Sequence, residues 1–158
     1  MVVALLPGQA APVTKAEAEA AIGKVDSAIR KVIGLPAAEA KKVTDSTPIS
    51  RAEFVKRLDS MFESYRPKFQ YTPRPFHTDP AVVAKFNQDP GVQKRIDKLA
   101  RWGCLAPVGP VVVGPGDTLT TSEFGDALGY FMSQIASLTY FADPKWVPNL
   151  GGGGDLTK

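Results

Sequence analysis

Cysteine and histidine are almost missing from this sequence: Cys104 and His77 each stand alone. A single thiol forms no internal disulfide and cannot build an all-cysteine metal cage. His77 lies in a proline-rich stretch, and no strained nucleophile turn accompanies it, so a hydrolase triad has no visible parts. Cys104 has no local base or cation to activate it and reads as a small buried residue. No apolar run approaches the roughly eighteen residues needed to cross a bilayer. The glycine-rich stretches GPGDTLTT and GGGGDLTK lack the GKS or GKT ending of a phosphate loop. Asp45, Asp79, Asp89, Asp117 and Asp143 are scattered through turns, without the regular oxygen spacing of a calcium loop. Charge is weakly biased as well, at +3, too little to name a nucleic acid as partner. These absences give the expectation of no catalytic residues, no metal, no cofactor, no nucleic-acid partner and no transmembrane segment.

What is present is globular: 44% hydrophobic and 22% charged residues. Fourteen glycines and fourteen prolines must sit in connections, which predicts short helices separated by long irregular segments. The first helix is expected over 15–33, with Ala18, Ile22, Val25, Ile29 and Val32 on one face. Thr14 and Glu17 form its capping box, and Gly34 and Pro36 end it. A second helix starts at Ser50, whose box partner is Glu53, and buries Phe54, Leu58, Met61 and Tyr65 beside Val55 and Phe62 until Pro67 stops it. A brief helix at 81–87 follows. The next, at 91–102, buries Val92, Ile96 and Leu99 and sets Lys94, Lys98 and Arg101 together on another face, widened by Arg95. Residues 111–113 suggest a very short strand. A last long helix begins at Thr120, boxed by Glu123, with Phe124, Leu128, Phe131, Ile135 and Leu138 as its buried stripe.

Residues 47–62 and 117–132 align without a gap at an offset of seventy. Capping rules account for the hydroxyl and the glutamate in both segments. They do not account for the aliphatic residue before each cap, Ile49 and Leu119, or for the matched Phe54/Phe124 and Leu58/Leu128. The aliphatic residue suits a hydrophobic staple on the first buried turn. The expectation is a mainly α protein, a small helical bundle of repeated helix-loop-helix units with long Pro/Gly-rich connections. Its division is an extended arm at 1–13, a helical domain at 14–139 with units near 14–66 and 76–139, and an aromatic and glycine-rich tail at 140–158. For the first stretch, MVVALLPGQAAP, three readings stay open: an arm, the remnant of a processed or re-engineered precursor, or a short membrane-touching anchor. The apolar arm is expected to serve assembly, and the aromatic tail to need another surface for burial: the protein's own core, another subunit or a membrane.

The stretch IDKLARWGCLAPVGPVVVGPGDTLTTSEFGDALGYF, residues 96–131, resembles the S-layer homology modules of bacterial cell-envelope proteins. The shared pattern is helix, glycine, variable loop, turn, then an L-T-R-A-E-F helix start. SRAEFVKRL at 50–58 resembles the same signature, and FHTDP at 76–80 and FADPKW at 141–146 resemble the family's opening phrase. Together these cover much of 47–146. The resemblance implies a compact helical module that attaches to a cell-wall polysaccharide, with Arg51, the arginine of the signature, contributing to the glycan site beside Glu53. Thr121 stands where the second copy would carry that arginine. The function expected is a non-enzymatic envelope structural or attachment module that binds acidic wall polysaccharide or the protein subunits of a larger assembly. The alternative is a small accessory subunit without glycan binding. The residues expected to bind are Arg51, Glu53, Lys94, Lys98 and Arg101, and the location expected is the cell envelope or extracellular surface.

Overall fold

A computed structural model describes residues 11–73, 77–114 and 116–139. Six α-helices follow one another among them: α1 (Lys15–Ile33), α2 (Arg51–Tyr65), α3 (Pro80–Phe86), α4 (Pro90–Arg101), α5 (Pro110–Val113) and α6 (Thr121–Leu138). No strand is present among the described residues, and the protein is a small, mainly helical domain. None of the described helices is long and apolar enough to cross a membrane.

The three longest helices begin alike. Thr14, Ser50 and Thr120 are extended N-cap residues, each accepting a hydrogen bond from the amide of the third helical residue. Glu17, Glu53 and Glu123 return the bond to the cap amide, so all three capping boxes close. The extended residues before the caps then pair with one another in a ring. Isolated bridges join Thr14 to Pro48, Ser50 to Thr118 and Thr120 to Pro12, so each cap meets the approach to another helix. Lys15 donates its amide to the Thr47 carbonyl at 2.9 Å and Arg51 to that of Asp117 at 2.8 Å. Nearer the axis, Val13 donates to Leu119 at 2.8 Å and Ile49 to Val13 at 2.9 Å.

That ring fixes the core. Val13, Ile49 and Leu119 occupy the position before each cap and all are buried. One turn on come Ala18, Phe54 and Phe124, then Ile22, Leu58 and Leu128, and every one of these is buried. The Phe54 and Phe124 rings meet at 4.9 Å between centroids, tilted by 46°. Helix α4 closes the core against α2 with Val92, Ile96 and Leu99, while α1 and α5 pack on α6. Asp79 and Asp89 cap α3 and α4 ahead of a proline in the first turn, where the missing amide costs nothing.

Several expectations change. Residues 111–113 form the short helix α5, because Pro110 sets a helical first turn and Gly109 leads into it extended. Gly114 closes that turn where a Cβ would collide with the Pro110 carbonyl, so the position needs glycine. On α1, Ile33 is buried and Val32 is 48% exposed, because the buried stripe runs Ala18, Ile22, Asp26, Ile29, Ile33. Pro12 and Val13, assigned to an arm, belong to the packed ring. The rest of the arm, at 1–10, and the aromatic tail at 140–158 lie outside the described residues.

Candidate functional site

A groove of 830 Å3 lies between α1, the loop at 37–41 and α2. Its floor is built from side chains that pair across the two helices. Arg57 of α2 grips Glu19 of α1 with its guanidinium fork, Nη2 to Oε1 at 2.8 Å and Nε to both oxygens at 3.2 Å. About two and three turns further along α1, Asp26 receives Arg30 Nε at 3.0 and 3.1 Å, a four-residue step along one helix face. The buried Tyr65 hydroxyl, at the end of α2, also donates to Asp26. Burial first, and then the bond to Asp26, hold the Tyr65 proton far above its ordinary range, so this hydroxyl is a fixed donor and not an acid. Donating to Glu19 lifts the Arg57 guanidinium's affinity for its proton, with burial working the other way. Arg30 extends its other arm to the Pro36 carbonyl at 3.2 Å, tying the loop to the floor.

The rim differs from the floor. Lys24, Lys31 and Lys41 are exposed around the groove and form no ion pair among the described residues. The lining carries five cationic side chains against three carboxylates, Glu19, Asp26 and Glu39. Two of those carboxylates are already committed to arginines, so the free charge facing outward is positive. Ser27, Ser60 and Ser64 add hydroxyls, and Ala20, Gly23, Ala37 and Ala38 keep the walls low. Such a surface offers hydrogen bonds and positive potential to an extended, polar, anionic chain.

The residues singled out from sequence are not gathered here. Arg51 sits in the first turn of α2 with only 4% of its surface exposed. Its guanidinium faces inward, donating to the carbonyls of Gly116 and, at 3.4 Å, Pro110. Burial weakens its hold on its proton, and Asp117 and Glu123 offset part of that loss. Glu53 closes the capping box and meets Lys15 at 3.3 Å. The amide of Ser50, followed by Lys15, holds its carboxyl below the ordinary range against the opposing effect of burial. On α4, Lys98 bridges Asp59 at 2.5 Å and Glu63 at 2.7 Å, and Arg95 reaches Asp59 at 3.4 Å. Burial opposes the Lys98 charge, but its two carboxylate partners outweigh it and raise the pKa. Arg101 pairs with Asp97 on its own helix at 3.0 Å, and Lys94 is exposed without an ion pair among the described residues. Asp59 lies eight residues beyond Arg51, about 12 Å along the helix. The structure therefore separates the α4 cations from the start of α2.

Three clues to the groove are visible in the sequence in hindsight. Asp26 and Arg30 are four apart on the buried side of α1, an expensive place for charge unless it is paired. Glu19 follows the core residue Ala18 and Arg57 precedes the core residue Leu58, each at the edge of its helix's buried face. Lys24 and Lys31 are seven apart and share a face. Cys104 is buried, and burial pushes its thiol up to about 12. His77 is exposed beside Thr78, Asp97 and Arg101, at the edge of a separate shallow depression. Among the described residues no group of three or more histidine, cysteine, aspartate or glutamate side chains could hold a metal ion. No family model matches the chain, and neither does any curated protein or solved structure.

Proposed function

We propose that the protein is a non-enzymatic attachment module of the cell envelope that lays an acidic polysaccharide along the α1–α2 groove. The observation that carries this reading is the pairing of a satisfied, rigid floor with an unpaired cationic rim. Arg57–Glu19 and Arg30–Asp26–Tyr65 fix the groove's shape before any ligand arrives, which spares ordering entropy on binding. Lys24, Lys31 and Lys41 then supply charge without having to break existing ion pairs. The resemblance of 50–58 and 96–131 to S-layer homology modules points the same way.

The repeated-unit reading belongs to the same proposal, with one change in its count. PVTKAE at 12–17 has the cap, cation, alanine and glutamate of PISRAE at 48–53, and TLTTSE at 118–123 is the third version. In this reading the chain is built from three helix starts related by the bridge ring, and the groove lies between the first two. Arg51, matched to the signature arginine, then serves the ring, and the exposed lysines of the rim take the contacts with ligand.

The test uses the full chain and purified acidic wall polysaccharide, with neutral glucan as control. Reversing the rim by Lys24→Glu, Lys31→Glu and Lys41→Glu should abolish co-sedimentation with the acidic polymer and leave helical content unchanged, because all three are exposed. Unchanged co-sedimentation would refute the groove assignment. No co-sedimentation by the original protein would favour an accessory subunit of a protein complex.

A further inference from the structure

A second depression lies between α6 and the turn that leads into α5. Its volume is 180 Å3, and its walls are carbon: Leu105, Pro110, Val111, Ala127 and the ring of Tyr130. A dry cavity of about 150 Å3 holds one benzene ring, so this slot has room for one large side chain and not two. Its lip is apolar as well. Tyr130 is 46% exposed, and Val108 in the adjoining turn is 76% exposed.

Two carboxylates, Glu123 and Asp126, open onto the same slot. Neither forms an ion pair among the described residues. Glu123 spends Oε1 on the Thr120 amide, which leaves its other oxygen and the whole Asp126 carboxylate for a cation. Both lie in the first two turns of α6, on one side of the slot. An acidic polymer is repelled from such a place, so the slot is distinct in chemistry from the groove.

The geometry points to a peptide-docking site that takes one aromatic side chain flanked by a lysine or arginine, presented by a partner protein. The ring fills the carbon-lined slot and covers Val108 and Tyr130, and the neighbouring cation meets Asp126 and Glu123. Buried aromatic anchors next to a charge are the usual centres of such contacts. The inference is independent of the polysaccharide reading and survives its failure.

Isotope-labelled full chain, titrated with acetylated and amidated tetrapeptides, provides the test. The Lys-Trp peptide should shift the amides of Leu105, Val111 and Ala127 saturably in the millimolar range. The Lys-Ala peptide should not shift them, and the Glu-Trp peptide should bind at least about threefold more weakly, as an exposed ion pair allows. Asp126→Lys, at an exposed position, should reverse the order of the Lys-Trp and Glu-Trp peptides. Absence of saturable shifts at those three residues overturns the proposal, as does equal binding of the two tryptophan peptides.

Discussion

Replacing Arg51 with alanine separates a structural arginine from a ligand-binding one. Its guanidinium joins the start of α2 to two carbonyls, at Pro110 and Gly116, that lie 59 and 65 residues away in sequence. Hydrogen bonds to a charged donor contribute about 1.5–3 kcal/mol each, and carbonyls stripped of a partner cost more. Against this stand the desolvation of the guanidinium and the buried Nε, which has no partner. The net loss for Arg51→Ala is then about 2 kcal/mol, which lowers the thermal midpoint by about 4–8 °C in a domain of this size. Arg51→Lys keeps the charge but loses the fork and should fall between the two. Urea melts followed by circular dichroism measure the loss, and co-sedimentation with acidic polysaccharide measures binding at a temperature where both proteins are folded. A midpoint within about 0.5 kcal/mol of the original, the range of a neutral surface change, combined with lost polysaccharide binding, would show that the arginine serves ligand and not the ring.

Three further outcomes follow from the same geometry. Phe124→Ala removes half of the Phe54–Phe124 ring pair at the centre of the core and should cost about 3–5 kcal/mol in urea denaturation; a loss under about 1 kcal/mol would mean the pair does not hold α2 to α6. Cys104, with its thiol pushed up to about 12 by burial, should react with a thiol reagent at pH 8 only as fast as the protein opens, so rapid labelling without denaturant would contradict its placement. Glu63 is held below the ordinary carboxyl value of 4.5 chiefly by the Lys98 bond, and Glu53 by the Ser50 amide. The unfolded chain takes up these protons first, so their stabilisation is whole above pH 4.5 and disappears as pH falls through the lower folded values. Urea midpoints should drop from pH 7 to pH 3, and less steeply for Glu53→Gln with Glu63→Gln; equal slopes would remove these two groups from the acid sensitivity.

The helices were legible because their stripes are strict and their starts are capped. Every apolar residue expected on α2, α4 and α6 is buried, and α1 spans the expected 15–33. The first helix start was harder to relate to the others, because Ala18 stands where Phe54 and Phe124 stand, and without the phenylalanine the resemblance drops to a cap, a cation and a glutamate. Helix α5 could not be read because four residues carry too little periodicity, and three consecutive valines favour a strand on propensity alone. The cations of α4 looked like one free face, since spacing along a helix does not reveal that Asp59 and Glu63 of another helix already hold Lys98. Arg51 illustrates the same limit: its place in the first turn was visible, but the carbonyls it reaches come from α5 and the turn after it, distant in sequence. Beside the local Asp26–Arg30 pair, the groove's floor depends on such long-range pairs, with Glu19 and Arg57 separated by 38 residues and Asp26 and Tyr65 by 39.

Chemical-shift mapping of the full chain with a soluble fragment of acidic wall polysaccharide tests the central claim most directly. The account predicts saturable shifts for amides in 19–31, 37–41 and 57–64, weakening steeply as salt rises because the rim lysines are exposed. Shifts centred on α4, on 94–101, or no saturable shift at all, would contradict it.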